Sequence, residues 1–66
     1  MKIGIIGGTG ALGKGLASRM IKVGLEVFIG SRKQDSASAA ALSLGLKEES
    51  GGLNYDVASK CDLGII

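Results

Sequence analysis

Two stretches of this chain carry residue types whose order suggests chemistry: Gly7-Gly8-Thr9-Gly10-Ala11-Leu12-Gly13 and Ser31-Arg32-Lys33. Glycines at such spacing let backbone approach a ligand closely, and amide groups at the start of a helix recognise an anion. Two registers fit the first stretch, Gly8-x-Gly10-x-x-Gly13 and Gly7-x-x-Gly10-x-x-Gly13, the second with one more residue in the turn. In either register the first glycine permits the turn, Gly10 leaves room for a pyrophosphate, and Gly13 lets the following helix pack tightly. Thr9 has two readings: a hydroxyl lining the phosphate turn, or a residue the turn merely tolerates. Lys14 reads as part of a solvated helix face, with a phosphate contact as the lesser reading.

The elements that must position these residues follow from the apolar pattern. Residues 2–6 are an apolar run that does not alternate, as in a strand buried on both faces. From about Ala11 to Val23 the apolar residues Leu12, Leu16, Met20 and Val23 recur at helical spacing, and Gly24 stands where a left-handed cap ends a helix. Leu25–Ile29 reads as a second strand, parallel to the first and joined to it right-handedly. A second helix is expected from about Asp35 to Leu44, with a small alanine face and Gly45 as its cap. Between Leu46 and Leu53 the pattern supports at most a short pairing around Gly52–Leu53. Asn54 suits the cap of a short helix from Tyr55 to Lys60, and Asp62 leads into a last strand, Leu63–Ile66. The expected fold is therefore α/β: a partial Rossmann (doubly wound) fold, with a parallel sheet of about three strands in the order 2-1-4 and a weak or absent third strand.

Strand, glycine turn and helix in that order are the context that a dinucleotide-binding fingerprint requires. An Asp or Glu at the end of the second strand would hydrogen-bond the adenosine ribose of NAD, and here Ser31-Arg32-Lys33 stands instead. The Arg32 guanidinium can pair with a 2′-phosphate and stack on adenine, and the Ser31 hydroxyl can donate to the same phosphate, which favours NADP. Glu26 is no substitute, because it lies at the wrong end of the strand. The expected cofactor site is Gly7, Gly8, Thr9, Gly10, Ala11, Leu12, Gly13, Ser31, Arg32 and Lys33. Asp35 and Asp62 read as helix-start and strand-start carboxylates, and Tyr55 reads as packing. No catalytic constellation is visible among these residues.

Composition excludes several other classes. The chain has 66 residues, with 12 Gly, no His, no Pro and a net charge of +2; its eight Lys and Arg are scattered and its aromatics are only Phe28 and Tyr55. That argues against nucleic acid as a partner. No apolar run is long enough for a membrane span. The apolar start resembles a secretory signal, but its glycines fall at motif spacing and no cleavage site follows. Cys61 has no internal partner, which suits a reducing cytoplasm, and reads as a small buried residue near a helix end.

Met1 to Arg32, carrying Gly-Gly-Thr-Gly-Ala-Leu-Gly, Gly-Leu-Ala-Ser-Arg and Val-Phe-Ile-Gly-Ser-Arg, resembles the N-terminus of the NADPH-dependent reductases of the deazaflavin coenzyme F-420. The tail, Asn-Tyr-Asp-Val-Ala-Ser-Lys-Cys-Asp-Leu-Gly-Ile-Ile, is similar to that family's short helix and fourth strand. The resemblance implies an oxidoreductase that passes hydride between NADPH and a deazaflavin, with NADP contacts at Thr9, Ser31 and Arg32. Some members add a lysine early in the next helix, where this chain has Ser36 and where Lys33 stands close by in sequence. The deazaflavin-binding residues of such proteins lie beyond residue 66. Two alternatives stay open: another NADP-dependent reductase, of pyrroline-carboxylate-reductase-like or atypical short-chain type, or a non-catalytic NADP-sensing regulator. On this reading residues 1–66 are an N-terminal NADP-binding Rossmann domain, incomplete at the C-terminus. Its last strand is expected to leave an apolar edge through which isolated chains associate, without reductase activity.

Overall fold

The structure, a computed structural model, describes residues 1–7 and 10–65. Four strands and three helices alternate: β1 (Lys2–Ile5), α1 (Ala11–Lys22), β2 (Glu26–Ser31), α2 (Gln34–Ser43), β3 (Gly51–Leu53), α3 (Asn54–Lys60) and β4 (Leu63–Ile65). All strand pairings are parallel, in the order β3-β2-β1-β4. This is the Rossmann strand order, with α1 and α2 on one face of the sheet and α3 on the other.

The sheet therefore has four strands where the pattern suggested about three, and β3 is present rather than weak or absent. Its residues pair Gly51 with Ile29, Gly52 with Gly30 and Leu53 with Ser31. Hydropathy cannot show such a strand, because two of its three residues have no side chain. Their role is close approach: a Cβ on Gly51 would fall on the Ala37 carbonyl, so α2 rests directly on the strand backbone. The Gln34 side chain ties the same two elements together, donating from Nε2 to the Gly51 carbonyl at 3.0 Å. Gly51→Ala is accordingly expected to destabilise the chain by about 1–3 kcal/mol, the usual cost of overpacking. Urea unfolding checks this, and an unchanged midpoint would contradict the direct seating of α2.

One core forms between the sheet and the first two helices, from Ile5, Val27, Ile29, Ala17 and Ala40. The buried face of α1 differs from the expected one. Leu12 is 89% and Val23 75% exposed, while Ala17 is fully buried and Leu16, Met20 and Ile21 flank it. The helix turns its smallest core residue to the sheet and so lies close to it, and the larger leucine spacing runs along the helix flank. In α2, Ala37, Ala40 and Ala41 are buried as the alanine pattern implies. Both helices end in the same left-handed cap. Gly24 (φ +87°) and Gly45 (φ +80°) let the amides of Leu25 and Leu46 reach back to the carbonyls of Met20 and Ala41, at 3.1 and 2.9 Å.

On the opposite face α3 sits on glycine. A Cβ on Gly4 would lie 2.8 Å from Val57 Cγ1 and 3.0 Å from Cys61 Sγ, and one on Gly30 would lie 2.7 Å from Asn54 Oδ1. Val57 is fully buried there. After α3, Asp62 clamps the start of β4 to β1: its carboxylate accepts from the Lys2 amide and its own amide donates to the Lys2 carbonyl, each at 2.9 Å. The expected end of that strand, Ile66, lies outside the described residues.

Candidate functional site

The carboxyl ends of β1 and β2 and the amino ends of α1 and α2 converge on one edge of the sheet. Open α/β sheets bind ligands at this edge, beside the point where strand order reverses, here between β1 and β4. Gly7 leaves β1 with φ +71°, a conformation that strains any residue with a side chain, so the turn itself needs glycine at this position. Its amide donates to Asn54 Oδ1 at 3.1 Å. Gly8 and Thr9, both expected in the site, lie outside the described residues.

Gly10 is the residue before α1 and makes no side-chain cap. The first intrahelical bond runs from the Lys14 amide to the Gly10 carbonyl at 3.0 Å, which leaves the amides of Ala11, Leu12 and Gly13 without partners inside the helix. Among the described residues, leaving out its chain neighbours, no atom lies within 4 Å of a Cβ built on Gly10. Its backbone, at φ −80° and ψ 167°, is one that any residue adopts. The described residues thus make no demand for glycine here, and the space it leaves faces three amide donors and the positive end of the α1 dipole. A cavity of about 330 Å3 lies over this turn, bordered by Gly7, Gly10, Ala11, Leu12, Gly13 and, across the strand switch, Ile65.

A second cavity, of about 480 Å3, adjoins it at Gly7 and is lined by Ser31, Arg32, Lys33, Ser36 and Asn54. Among the described residues no carboxylate borders it. Ser31 closes β2 and is only 8% exposed, its Oγ accepting from the Lys33 amide at 3.3 Å. That bond uses an oxygen lone pair and leaves the hydroxyl proton free to donate. Arg32 and Lys33 are exposed at the mouth. Asp35 and the acidic pair Glu48 and Glu49 border a different cavity, on the flank of α2. Glu26 pairs with Lys2 at the far end of β2. The two sequence stretches are thus adjacent in space: glycine turn and basic loop line two cavities that share Gly7, together a groove along this edge of the sheet.

Asn54 in this groove and Tyr55 beside it have other roles than the sequence suggests. Asn54 does not cap α3, which starts at Asn54 itself, follows Leu53 and has no side-chain cap; its side chain instead crosses to the glycine turn. Asparagine beside a helix start reads as a cap by default. The signal for the other role is its position immediately after a strand, at the ligand-binding edge. Tyr55 is 71% exposed rather than packed, and stands beside Arg32, Ser31 and Asn54. Cys61 is half-buried against Gly4, and burial pushes its thiol up from the ordinary range, with Lys60 opposing. It lies away from both cavities. Among the described residues no cluster of His, Cys, Asp or Glu could hold a metal ion, and no helix is long and apolar enough to cross a membrane.

Residues 2–66 match the family described as "NADP oxidoreductase coenzyme F420-dependent". Among curated proteins, the chain is 42% identical over 72 aligned positions to an F420-dependent NADP reductase of Methanothermobacter thermautotrophicus, and 38% identical to one of Methanothermobacter marburgensis. All of this chain is covered in both comparisons, against 31% and 32% of the relatives. The chain therefore spans about a third of the length of the curated relatives it matches.

Proposed function

Because the chain belongs to the family of NADP oxidoreductases dependent on coenzyme F420, we propose that residues 1–66 are the NADP(H)-binding portion of a reductase that moves hydride between NADPH and the deazaflavin. The observation that carries this reading is the groove of two cavities that share Gly7, with helix amides and open space at Gly10 on one side and, on the other, a basic cavity that no carboxylate borders among the described residues. A pyrophosphate fits the first and a 2′-phosphate the second, so one NADP molecule would satisfy both. Gly7, Gly8, Thr9, Gly10, Ala11, Leu12 and Gly13 would hold the pyrophosphate, and Ser31, Arg32 and Lys33 the 2′-phosphate. Bound NADPH supplies the hydride. This chain's residues would bind it by its phosphates and hold it at this edge of the sheet. The deazaflavin site then belongs to residues outside this stretch, and the protein works in the cytoplasm, where Cys61 stays reduced.

Calorimetric titration tests the binding step. NADPH is expected to bind at least roughly tenfold more tightly than NADH, the effect of one charge-assisted phosphate contact. Equal or reversed preference would remove NADP from the site. For the whole protein, bleaching of the oxidised deazaflavin by NADPH, with NADH much slower, is the matching result for activity.

A further inference from the structure

Asn54 stands apart from the other residues of the groove, because its side chain serves neither its own helix nor the sheet. It is half-buried, lies 47 residues from Gly7 in sequence, and accepts the Gly7 amide at 3.1 Å. An N–H can only be met by an acceptor, which fixes Oδ1 on this side and leaves the Asn54 amide protons for the cavity it shares with Ser31 and Arg32. Its seat is made by β2: Gly30, the residue before Ser31, has no side chain, and a Cβ there would lie 2.7 Å from Asn54 Oδ1 and 3.3 Å from Asn54 Cα. One side chain therefore connects the end of β1, where Gly7 holds its left-handed conformation, to the ends of β2 and β3.

We propose that Asn54 is a positioning residue for dinucleotide binding: by accepting the Gly7 amide it holds the glycine turn at a fixed distance from the Ser31–Arg32 loop, so that both phosphate groups of one NADP are met together. The proposal rests on the NADP reading above for its ligand, but the strut itself exists without ligand. Its effect is pre-organisation, since a turn already in place loses less freedom when the pyrophosphate arrives. It acts through backbone common to all dinucleotides, so its loss weakens NADPH and NADH together, unlike the loss of a 2′-phosphate contact.

The test combines amide hydrogen exchange at Gly7, measured by NMR on the unliganded protein, with titrations of NADPH and NADH. Asn54→Ala is expected to speed Gly7 exchange and to weaken both nucleotides by a similar factor, roughly tenfold for one lost hydrogen bond. Gly30→Ala, which displaces Asn54 from outside the groove, is expected to do the same. Asn54→Asp keeps an acceptor for Gly7: exchange stays slow and NADH binding is kept, while NADPH binding falls because a carboxylate now faces the 2′-phosphate. Unchanged Gly7 exchange in Asn54→Ala overturns the strut, and so does a loss confined to NADPH, which would make Asn54 a direct phosphate contact. If the unmodified protein binds neither nucleotide, the NADP reading fails, and Gly7 exchange in the two alanine variants still decides whether the strut is real.

Discussion

Valine in place of Gly10 will abolish the binding of NADPH and NADH alike while the chain keeps its helical content. The usual objection to such a substitution is that it breaks the turn, and the geometry answers it. Gly10 has an extended backbone open to any residue, and among the described residues no atom beyond its chain neighbours lies within 4 Å of the position its Cβ would take. What a side chain would fill is the space in front of the α1 amides that have no partner inside the helix, where the pyrophosphate must approach backbone to within hydrogen-bond distance. Valine is a poorer residue than glycine before a helix, at a cost of ~1 kcal/mol, so circular dichroism must accompany calorimetry. Gly10→Ser separates the two effects, because serine caps α1 well yet still obstructs the ligand. Retained affinity in either variant would move the pyrophosphate away from this turn.

Removing the Arg32 side chain separates the two nucleotides instead. Arg32→Ala is expected to weaken NADPH binding by roughly tenfold to a hundredfold, since a charge-assisted hydrogen bond contributes ~1.5–3 kcal/mol, and to leave NADH within about twofold. The side chain is exposed at the mouth of the basic cavity, so the fold should lose little. Lys33, Ser31 and Ser36 still border that cavity, so the loss will be partial, and Arg32→Ala with Lys33→Ala should deepen it. Raising the salt concentration should narrow the gap between wild type and variant, because the interaction removed is between charges near solvent. Titrating both nucleotides against both proteins decides the matter. Equal losses for NADPH and NADH would assign Arg32 to the adenine or ribose rather than to the phosphate.

The parts of this molecule that could be read from sequence are those in which one side chain has one dominant use. The apolar run of β1, the alanines of α2 and the glycines that end both long helices each follow from a single local rule, and their observed ranges differ from expectation by a residue or two. Reading failed where packing, rather than local preference, decided. The leucine spacing of α1 is a true helical signal, but the sheet accepts Ala17 because proximity matters more there than side-chain size, which leaves Leu12 outside. β3 escaped because Gly51 and Gly52 carry no hydropathy, and their meaning appears only once α2 is laid across them. Asn54 was ambiguous for a different reason: one amide side chain serves a helix start or a distant backbone equally well, and only the partner at Gly7 distinguishes the two.

The glycine floor beneath α3 has a consequence for how this protein can change over generations. On the α1–α2 face the strands contribute Ile3, Ile5, Val27 and Ile29, so a residue that grows there can be offset by one that shrinks opposite. Under the start and middle of α3 the strands present Gly4, Gly30 and Gly52, which have nothing left to shrink, and only Phe28, beneath Lys60 at the end of α3, has a large side chain on this face. Any addition at Gly4 or Gly30 meets Val57, Cys61 or Asn54. The two faces of one sheet thus permit different histories: the first can drift by exchanges of volume in either direction, whereas beside Gly4 and Gly30 the second can yield only on the α3 side, and at Gly30, where the Asn54 backbone itself is met, by displacing α3. Because Asn54 is carried on α3, that displacement would alter the nucleotide site as well, which couples the freedom of a structural layer to the retention of a ligand.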